Sequence, residues 1–313
     1  MDGPVGSESV IRFPSERPST VVRAALSARR AMETINFLAA NPRAYTLSEL
    51  ARAIDVSLAS MTAILSSMVS MGFLVRNPNR KTYELGPALV TIGRAASERH
   101  PIVDLAQPEM RRLADLGYEV TGSVPVGEDI LVAAIEGRPR GSSPNLWQGQ
   151  RLPLVPPFGT IFLAWMGPGE IANWRSASKL PESSIDLDEV LRVIRERGYS
   201  IGLDIADVRA RRAELIRALV LKPGDDVLRA ELLDTIEMET EYWLLHVEPH
   251  AEYNIANIAA PVFDLDGNVV YALTVLDIGR ITGHRLQGVV DELLSSTRKL
   301  TRQLGGRPPA RET

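Results

Sequence analysis

The stretch TLSELARAIDVSLASMTAILSSMVSMGFLVRNPNRKTYELG, residues 46–86, decides the fold of the N-terminal part of the chain. Thr46 and Glu49 have the spacing of a capping box, in which each side chain satisfies a free backbone amide, so a short helix is predicted to begin here. A turn at residues 55–57 follows, and Ser57 is suited to cap a second helix that runs to about Met71.

A hairpin is predicted directly after this pair of helices. Gly72 favours a left-handed helix end, and a turn at residues 77–79 separates two short strands. Another helix, from about Ser27 to Ala40, precedes the quoted stretch. Three helices and a two-stranded wing predict a winged helix-turn-helix, although a small helical bundle that binds protein shares this pattern.

The predicted reading helix carries no charge: residues 56–74 contain neither a basic nor an acidic side chain. Residues 23–96 nevertheless have a net charge of +5, whereas residues 97–313 have a net charge of −8. A basic module joined to an acidic one indicates that only the first module meets an anion such as nucleic acid.

The candidate DNA contacts fall into two groups. Hydroxyl side chains on the first turns of the reading helix can bond base edges, and these are Ser57, Ser60 and Thr62. Cations around that helix can bind phosphates: Arg23, Arg29 and Arg30 before and in the first helix, and Arg76, Arg80 and Lys81 in the wing.

Beyond the wing, the pattern predicts a linker helix over residues 87–100 and an α+β domain over residues 101–305. Strands are expected at 118–125, 129–136 and in two long segments near the C-terminal end, without a βαβ rhythm, which favours an antiparallel sheet. Residues 1–22 and 306–313 lack periodicity and are predicted to be disordered or flexible tails.

Composition and motifs exclude several classes of protein. The chain has no cysteine, no apolar run long enough to span a membrane and no secretory signal pattern, so we expect a cytoplasmic protein without disulfides. Phosphate-binding loops and serine-hydrolase elbows are missing, and His246 and His250 are separated by Pro249 and lack a third ligand. We therefore predict no catalysis, no metal and no cofactor.

Seven motifs in order resemble the isocitrate lyase regulator (IclR) family of bacterial transcription factors. They are TLSELARAIDVS (46–57), GFLVRNPNRKTYELGPAL (72–89), QRLPL (150–154), FGTIFLA (158–164), IRERGYS (194–200), IAAPVFDLDGNVVYALTV (258–275) and RIT (280–282). The resemblance implies a winged helix-turn-helix, a linker helix and a C-terminal GAF-like domain that binds a small effector. It also implies binding to a double-stranded DNA operator as homodimers, often paired into tetramers.

By the same resemblance, the effector pocket lies between the turn before FLA and the last two strands. The matching residues are Pro157, Phe158, Gly159, Asn257, Ala272, Thr274 and Leu276, and Asp204 corresponds loosely to a further polar position. Phe158, with Trp147 and Trp165 near it in sequence, suggests an apolar or aromatic ligand, unless these rings are simply core. Arg151 is the nearest candidate for binding a carboxylate.

The chain departs from the family in three places. Leu58 and Ala63 stand where the family's reading helix commonly has a Lys and an Arg, and the loop between Leu154 and Gly159 is one residue short. About forty extra residues, 204–250, have the pattern of an antiparallel helical hairpin with apolar faces at Leu215, Ile216, Leu219 and Val220, and at Val227, Leu228, Leu232, Leu233 and Ile236. This insertion either packs on its own domain or forms a dimer contact.

Two functions of different class remain open at this point. The first is a transcriptional regulator whose operator binding responds to a small molecule. The second is a dimeric sensor or protein-interaction module that does not bind DNA sequence-specifically, and the uncharged reading helix is the feature that favours it.

Overall fold

The computed structural model describes residues 25–139, 146–176, 186–204 and 242–309, together with ten residues of the insertion: 211, 214, 215, 218, 219, 227, 228 and 230–232. The predicted N-terminal tail, Arg23, the last four residues and most of the insertion lie outside the described residues.

Three helices and a three-stranded antiparallel sheet form the N-terminal part. The elements are α1 (Leu26–Ala40), β1 (Tyr45–Thr46), α2 (Leu47–Ala53), α3 (Leu58–Ser70), β2 (Leu74–Asn77) and β3 (Thr82–Leu85), with strand order β1-β3-β2. The Thr46–Glu49 capping box is present, and Gly72 has a φ of +73° after the end of α3. The winged helix-turn-helix fold predicted from sequence is confirmed.

The angle between α2 and α3 is typical of a helix-turn-helix. The two helices are bent by 109° at the turn between them, within the range of about 90–120° that such motifs show. Met61, Leu65 and Met68 of α3 pack with Leu50 of α2 and Phe37 of α1 in one apolar cluster, which fixes this angle. Among the described residues no single helix has the length and apolar character to cross a membrane, and only the bent pair α2–α3 meets those criteria jointly.

Helix α4 (Ala88–Arg99) follows the wing and buries no residue. Its apolar side chains face outward: Val90 is 74% exposed and Ile92 50%. No other part of the described chain buries these two side chains.

The C-terminal part is built on a six-stranded antiparallel sheet with strand order β6-β5-β4-β9-β8-β7. Its strands are β4 (Glu119–Val126), β5 (Asp129–Glu136), β6 (Arg151–Pro153), β7 (Ser200–Leu203), β8 (Glu252–Phe263) and β9 (Val269–Thr282). Its helices are α5 (Ile102–Asp115), α6 (Thr160–Leu163), α7 (Pro168–Ser176), α8 (Leu187–Arg197) and α9 (Gly283–Gln303). Neighbouring strands of this sheet all pair antiparallel, and the described helices do not connect parallel strands. The α+β class predicted from sequence is therefore confirmed.

The sheet is covered on both faces. On one face α5 and α9 pack against β4, β8 and β9, and a buried Glu109 of α5 accepts hydrogen bonds from Lys299 and Ser296 of α9. On the other face lie α6 and α8, with Phe162 and Ile194 in a second apolar cluster. The cavity described below lies on this second face.

The insertion forms contacts between its two helical segments. Arg211 pairs with Glu231 at 2.6 Å, and Leu215 packs with Leu232. The same cluster includes Trp147 and Phe158, so the described part of the insertion packs on its own domain. Val227 is 67% exposed, so this chain does not bury it, while Ile216, Val220, Leu233 and Ile236 lie outside the described residues.

Candidate nucleic-acid interface and effector cavity

The outward face of α3 presents only small polar and apolar side chains. Its buried residues are Met61, Ile64, Leu65 and Met68. The exposed ones are Leu58, Ala59, Thr62, Ala63, Ser66, Ser67 and Ser70. The face can therefore offer hydroxyls and methyl groups to DNA but no positive charge.

The hydroxyls predicted to contact bases differ in the hydrogen bonds that they already make within α3. Ser57 is the N-cap of α3: its Oγ accepts from the Ser60 amide at 3.2 Å and donates to the Ser60 Oγ at 3.0 Å. Thr62 Oγ1 donates to the Leu58 carbonyl at 2.7 Å. Thr62 can thus present an acceptor oxygen and a methyl group, whereas Ser57 holds the helix end.

The tip of the wing is held by Asn77 and presents two cations. The Asn77 Oδ1 accepts from the backbone amides of Asn79 and Arg80, each at 3.0 Å, and Lys81 has a positive φ of 54°. Arg76, Arg80 and Lys81 are exposed and form no ion pair with another described residue. This arrangement suits contact with a phosphate backbone.

The cations of the helices are placed differently. Arg29 of α1 is paired with Glu33 at 2.8 Å, and Arg30 is half-buried. Sequence reasoning missed Arg52, which is exposed on α2 without a partner among the described residues. The position of Arg52 could have indicated a phosphate contact, because the first helix of a helix-turn-helix crosses the DNA backbone.

A cavity of about 210 Å³ lies between the sheet, α6 and the end of the insertion. Six of the seven residues predicted from the resemblance line it: Pro157, Phe158, Gly159, Asn257, Thr274 and Leu276. Ala272 does not, so its predicted place in the pocket is wrong. It lies on the same face of β9 as Thr274 but further along the strand, where α6 and Phe263 cover it in the core.

The remaining lining is mixed in character. Apolar walls come from β5, β6 and α6, among them Ile130, Val132, Leu152, Ile161 and Phe162. Hydroxyl groups come from β4, α6 and β7, namely Thr121, Ser123, Thr160 and Ser200. An apolar cavity with a few polar groups is typical of small-molecule sites.

Two residues at the end of the insertion line the cavity and were missed from the sequence. Tyr242 Oη accepts from the Asn257 amide nitrogen at 2.9 Å, so the predicted Asn257 is tied to the insertion. Trp243 lies opposite Gly202 in an isolated bridge. Its indole nitrogen is buried and has no hydrogen-bond partner among the described residues.

Carboxyl groups surround the cavity. Asp204 and Asp277 line it, and Asp204 accepts from the Asn254 amide at 3.2 Å. Glu119 of β4 lies fully buried opposite Leu276, and neither of its oxygens has a partner among the described residues. Burial, with a smaller contribution from the Asp277 carboxylate, raises the pKa of Glu119 above its ordinary value.

No Lys, Arg or His is found among the described residues that line the cavity. Arg151, predicted as a carboxylate partner, lies outside it and pairs with Asp129 at 3.3 Å. Trp147 and Trp165 also lie outside the lining: Trp147 packs against the insertion, and Trp165 contacts the Phe263 ring at 5.3 Å between centroids. Across the described part of the chain, no three His, Asp or Glu residues are arranged to hold a metal.

Comparisons with known proteins agree with this architecture. The IclR helix-turn-helix domain matches residues 27–78. The Pca regulon regulatory protein of Pseudomonas putida is 25% identical over 285 residues, which cover 90% of this chain and 84% of that protein.

Two solved structures share the fold along almost the whole chain. An IclR transcriptional regulator from Alicyclobacillus acidocaldarius is 19% identical with a TM-score of 0.59, over 90% of this chain and 99% of its own. An IclR homolog from Microbacterium hydrocarbonoxydans, solved in complex with 4-hydroxybenzoate, is 18% identical with a TM-score of 0.59, over 89% of this chain and 99% of its own. The matched domain and the curated relative together support an IclR-family transcriptional regulator.

Proposed function

We propose that this protein binds an operator in double-stranded DNA and that a small molecule in the C-terminal cavity modulates this binding. The observation that carries the proposal is the presence, in one chain, of a helix-turn-helix bent by 109° with a cationic wing and of a 210 Å³ cavity lined by polar and apolar groups. The first supports DNA binding and the second supports an effector.

We assign these functions to successive segments of the chain. Residues 23–86 form the DNA-binding domain, residues 87–100 the linker helix and residues 101–305 the effector domain with its insertion at 204–250. In the first, Arg76, Arg80 and Lys81, with Arg29 and Arg30, supply phosphate contacts, while Ser60 and Thr62 face bases and Ser57 positions them. In the last, the six predicted lining residues bind the effector. We propose no catalysis, since the related Pca regulon regulatory protein is a regulator.

A homodimer is the smallest assembly we propose, with a tetramer formed from two dimers as an alternative. One winged helix contacts one half-site of an operator. An operator with two symmetric half-sites therefore needs two winged helices, which a two-fold symmetric dimer supplies. Helix α4 offers an unpaired apolar face, in which Val90 and Ile92 are at least half exposed. Light scattering at micromolar concentration should therefore give at least twice the 34.3 kDa chain mass.

Electrophoretic mobility shift with DNA from upstream of the protein's own gene tests the proposal, and a scrambled fragment serves as control. We expect retention of the native fragment at protein concentrations that leave the scrambled one free. Equal binding of both fragments, or of neither, would contradict operator recognition and favour a sensor or protein-interaction module. We also propose a cytoplasmic location, since the protein would act on DNA.

A further inference from the structure

We infer that the cavity takes a protonated amine carried on a single ring, attracted by the carboxylates of Asp204 and Asp277. This inference rests on the proposed function, because it takes the cavity to be the effector site and names the chemical class of the effector. The charge of the lining, the backbone at Asp277 and the size of the cavity support it.

The lining of the cavity is acidic. Asp204 follows β7 and Asp277 lies in β9, on the two sides of β8, and both residues line the cavity. They are the only charged residues in the described lining, which contains no Lys, Arg or His. The hydrogen bond that Asp204 accepts from the Asn254 amide leaves the charge of the carboxylate in place. A cleft lined by one sign of charge attracts ligands of the opposite sign, so the lining favours a cation.

The backbone at Asp277 departs from a regular strand. Thr274 and Leu276 line the cavity, and Val275 between them packs in the apolar cluster on the opposite face of the sheet. Simple alternation would therefore turn Asp277 away from the cavity. Instead, the β8–β9 pairing shifts register at this level, and Asp277 has a φ of +49°, which is uncommon outside glycine. Irregularities of this kind re-aim a side chain, and here two consecutive residues of β9 line the cavity.

Glu119 shows that the charge of Asp277 acts in this region. Glu119 lies two residues before Thr121 on β4, pairs with Leu276 and is fully buried. Burial raises the pKa of Glu119, and the Asp277 carboxylate raises it further. Charges interact more strongly where solvent is sparse, so a cation in the cavity would gain more from Asp277 than it would gain at an exposed surface. A ligand carboxylate would be repelled by the same charge.

The size and walls of the cavity set the rest of the ligand. A dry cavity of about 150 Å³ is known to hold benzene. At about 210 Å³, this cavity has room for one ring and a short chain that bears the amine. Phe158, Tyr242 and Trp243 line it, and a cation placed over an aromatic ring gains a further attraction. The described residues provide no cluster of three metal ligands, so the cation we propose is organic.

Three probes that share one ring test the charge of the ligand: benzylamine, benzyl alcohol and benzoate. Benzylamine is protonated at neutral pH, benzyl alcohol has nearly the same shape without a charge, and benzoate is an anion. Calorimetry should show that benzylamine binds about tenfold more tightly than benzyl alcohol, because hydrogen bonds to charged groups are stronger than those between neutral groups. Benzoate should bind most weakly. Equal or tighter binding of benzyl alcohol or benzoate, or binding of none of the three, would overturn the inference.

Removing one charge at a time identifies the carboxylates that attract the ligand. Asp277→Asn keeps the shape of the side chain, and Asn tolerates a positive φ, so the backbone should be preserved. This variant should lose about tenfold in affinity for benzylamine and keep its affinity for benzyl alcohol. Asp204→Asn should act in the same direction, and it provides the test if Asp277→Asn does not fold.

Asp291→Asn is the matched control, because Asp291 is exposed on α9, on the opposite face of the sheet. It removes the same charge and should bind both probes as the wild type does. Unchanged benzylamine affinity in both cavity variants, or an equal loss for both probes, would refute the role of the carboxylates. The mobility-shift experiment with operator DNA needs none of these probes, so failure of the ligand class and failure of the regulator function are distinguishable.

Discussion

Removing the two cations at the wing tip should weaken binding to every DNA sequence, because they are expected to contact phosphates and not bases. Arg80 and Lys81 are exposed, and the hydrogen bonds of Asn77 Oδ1 hold the turn that presents them. Each lost phosphate contact lowers the slope of log K against log salt by about 0.9. For a dimer with two wings, Arg80→Ala with Lys81→Ala removes four contacts and lowers the slope by about 3.6.

This change in slope predicts a large change in the ratio of wild-type to variant affinity over an accessible salt range. Between 50 and 200 mM salt, the ratio of wild-type to variant affinity should fall by a factor of about 150. Fluorescence anisotropy with operator DNA and with an unrelated duplex measures both slopes. Arg298→Ala with Arg302→Ala, on exposed positions of α9, removes the same charge far along the chain and is the control. A wing variant with the slope of the wild type would refute the phosphate contacts.

Three further outcomes follow from the described contacts. Gly122→Ala should destabilise the fold by about 1–3 kcal/mol or more, since the added Cβ would clash with the buried Tyr271 hydroxyl. Gly288→Ala lies in open space on α9 and should instead stabilise the fold by up to about 1 kcal/mol. A lower melting temperature for Gly288→Ala than for Gly122→Ala would contradict the packing around Tyr271. Because the folded state raises the pKa of Glu119, stability should fall as pH rises from the ordinary glutamate value of about 4.3. Glu119→Gln should remove this loss, which melting curves at pH 4 and 8 would show, and an equal pH dependence in both proteins would speak against it. Thr62→Val keeps the methyl group and removes the acceptor, so selection on randomised operators should show relaxed preference at one base pair, at a cost of about 1–3 kcal/mol; an unchanged preference excludes a base contact by this hydroxyl.

Local sequence patterns predicted most elements of the fold. The capping box, the Ser57 cap and the left-handed Gly72 were readable because each depends on neighbouring residues, and all three are present. Strand β7 and helix α7 were missed. Four residues of an edge strand carry too little periodicity to be recognised, and α7 buries only Trp174, so neither segment shows a strong amphipathic pattern.

The site was predictable only where the resemblance supplied positions. Six pocket residues came from motif matches, while Tyr242 and Trp243 end an insertion that the family pattern lacks. Nothing in the local sequence shows that this segment returns to pair with β7 at Gly202. Glu119 was missed for a related reason: a glutamate at the start of a strand is ordinarily exposed, and its burial depends on β9, about 150 residues away.

If α3 reads the bases as proposed, its uncharged face should contribute to sequence preference and little to phosphate affinity. Leu58 is 54% exposed, and with Ala63 it stands where a cation would have added to phosphate binding on every sequence. Since the phosphate contacts proposed for the wing would be equally available on any duplex, they should raise specific and non-specific affinity together. Methyl groups and hydroxyls add affinity only where a base pair matches them. Salt should therefore change how tightly the protein binds far more than it changes the preference for the operator, because the groups that discriminate carry no charge.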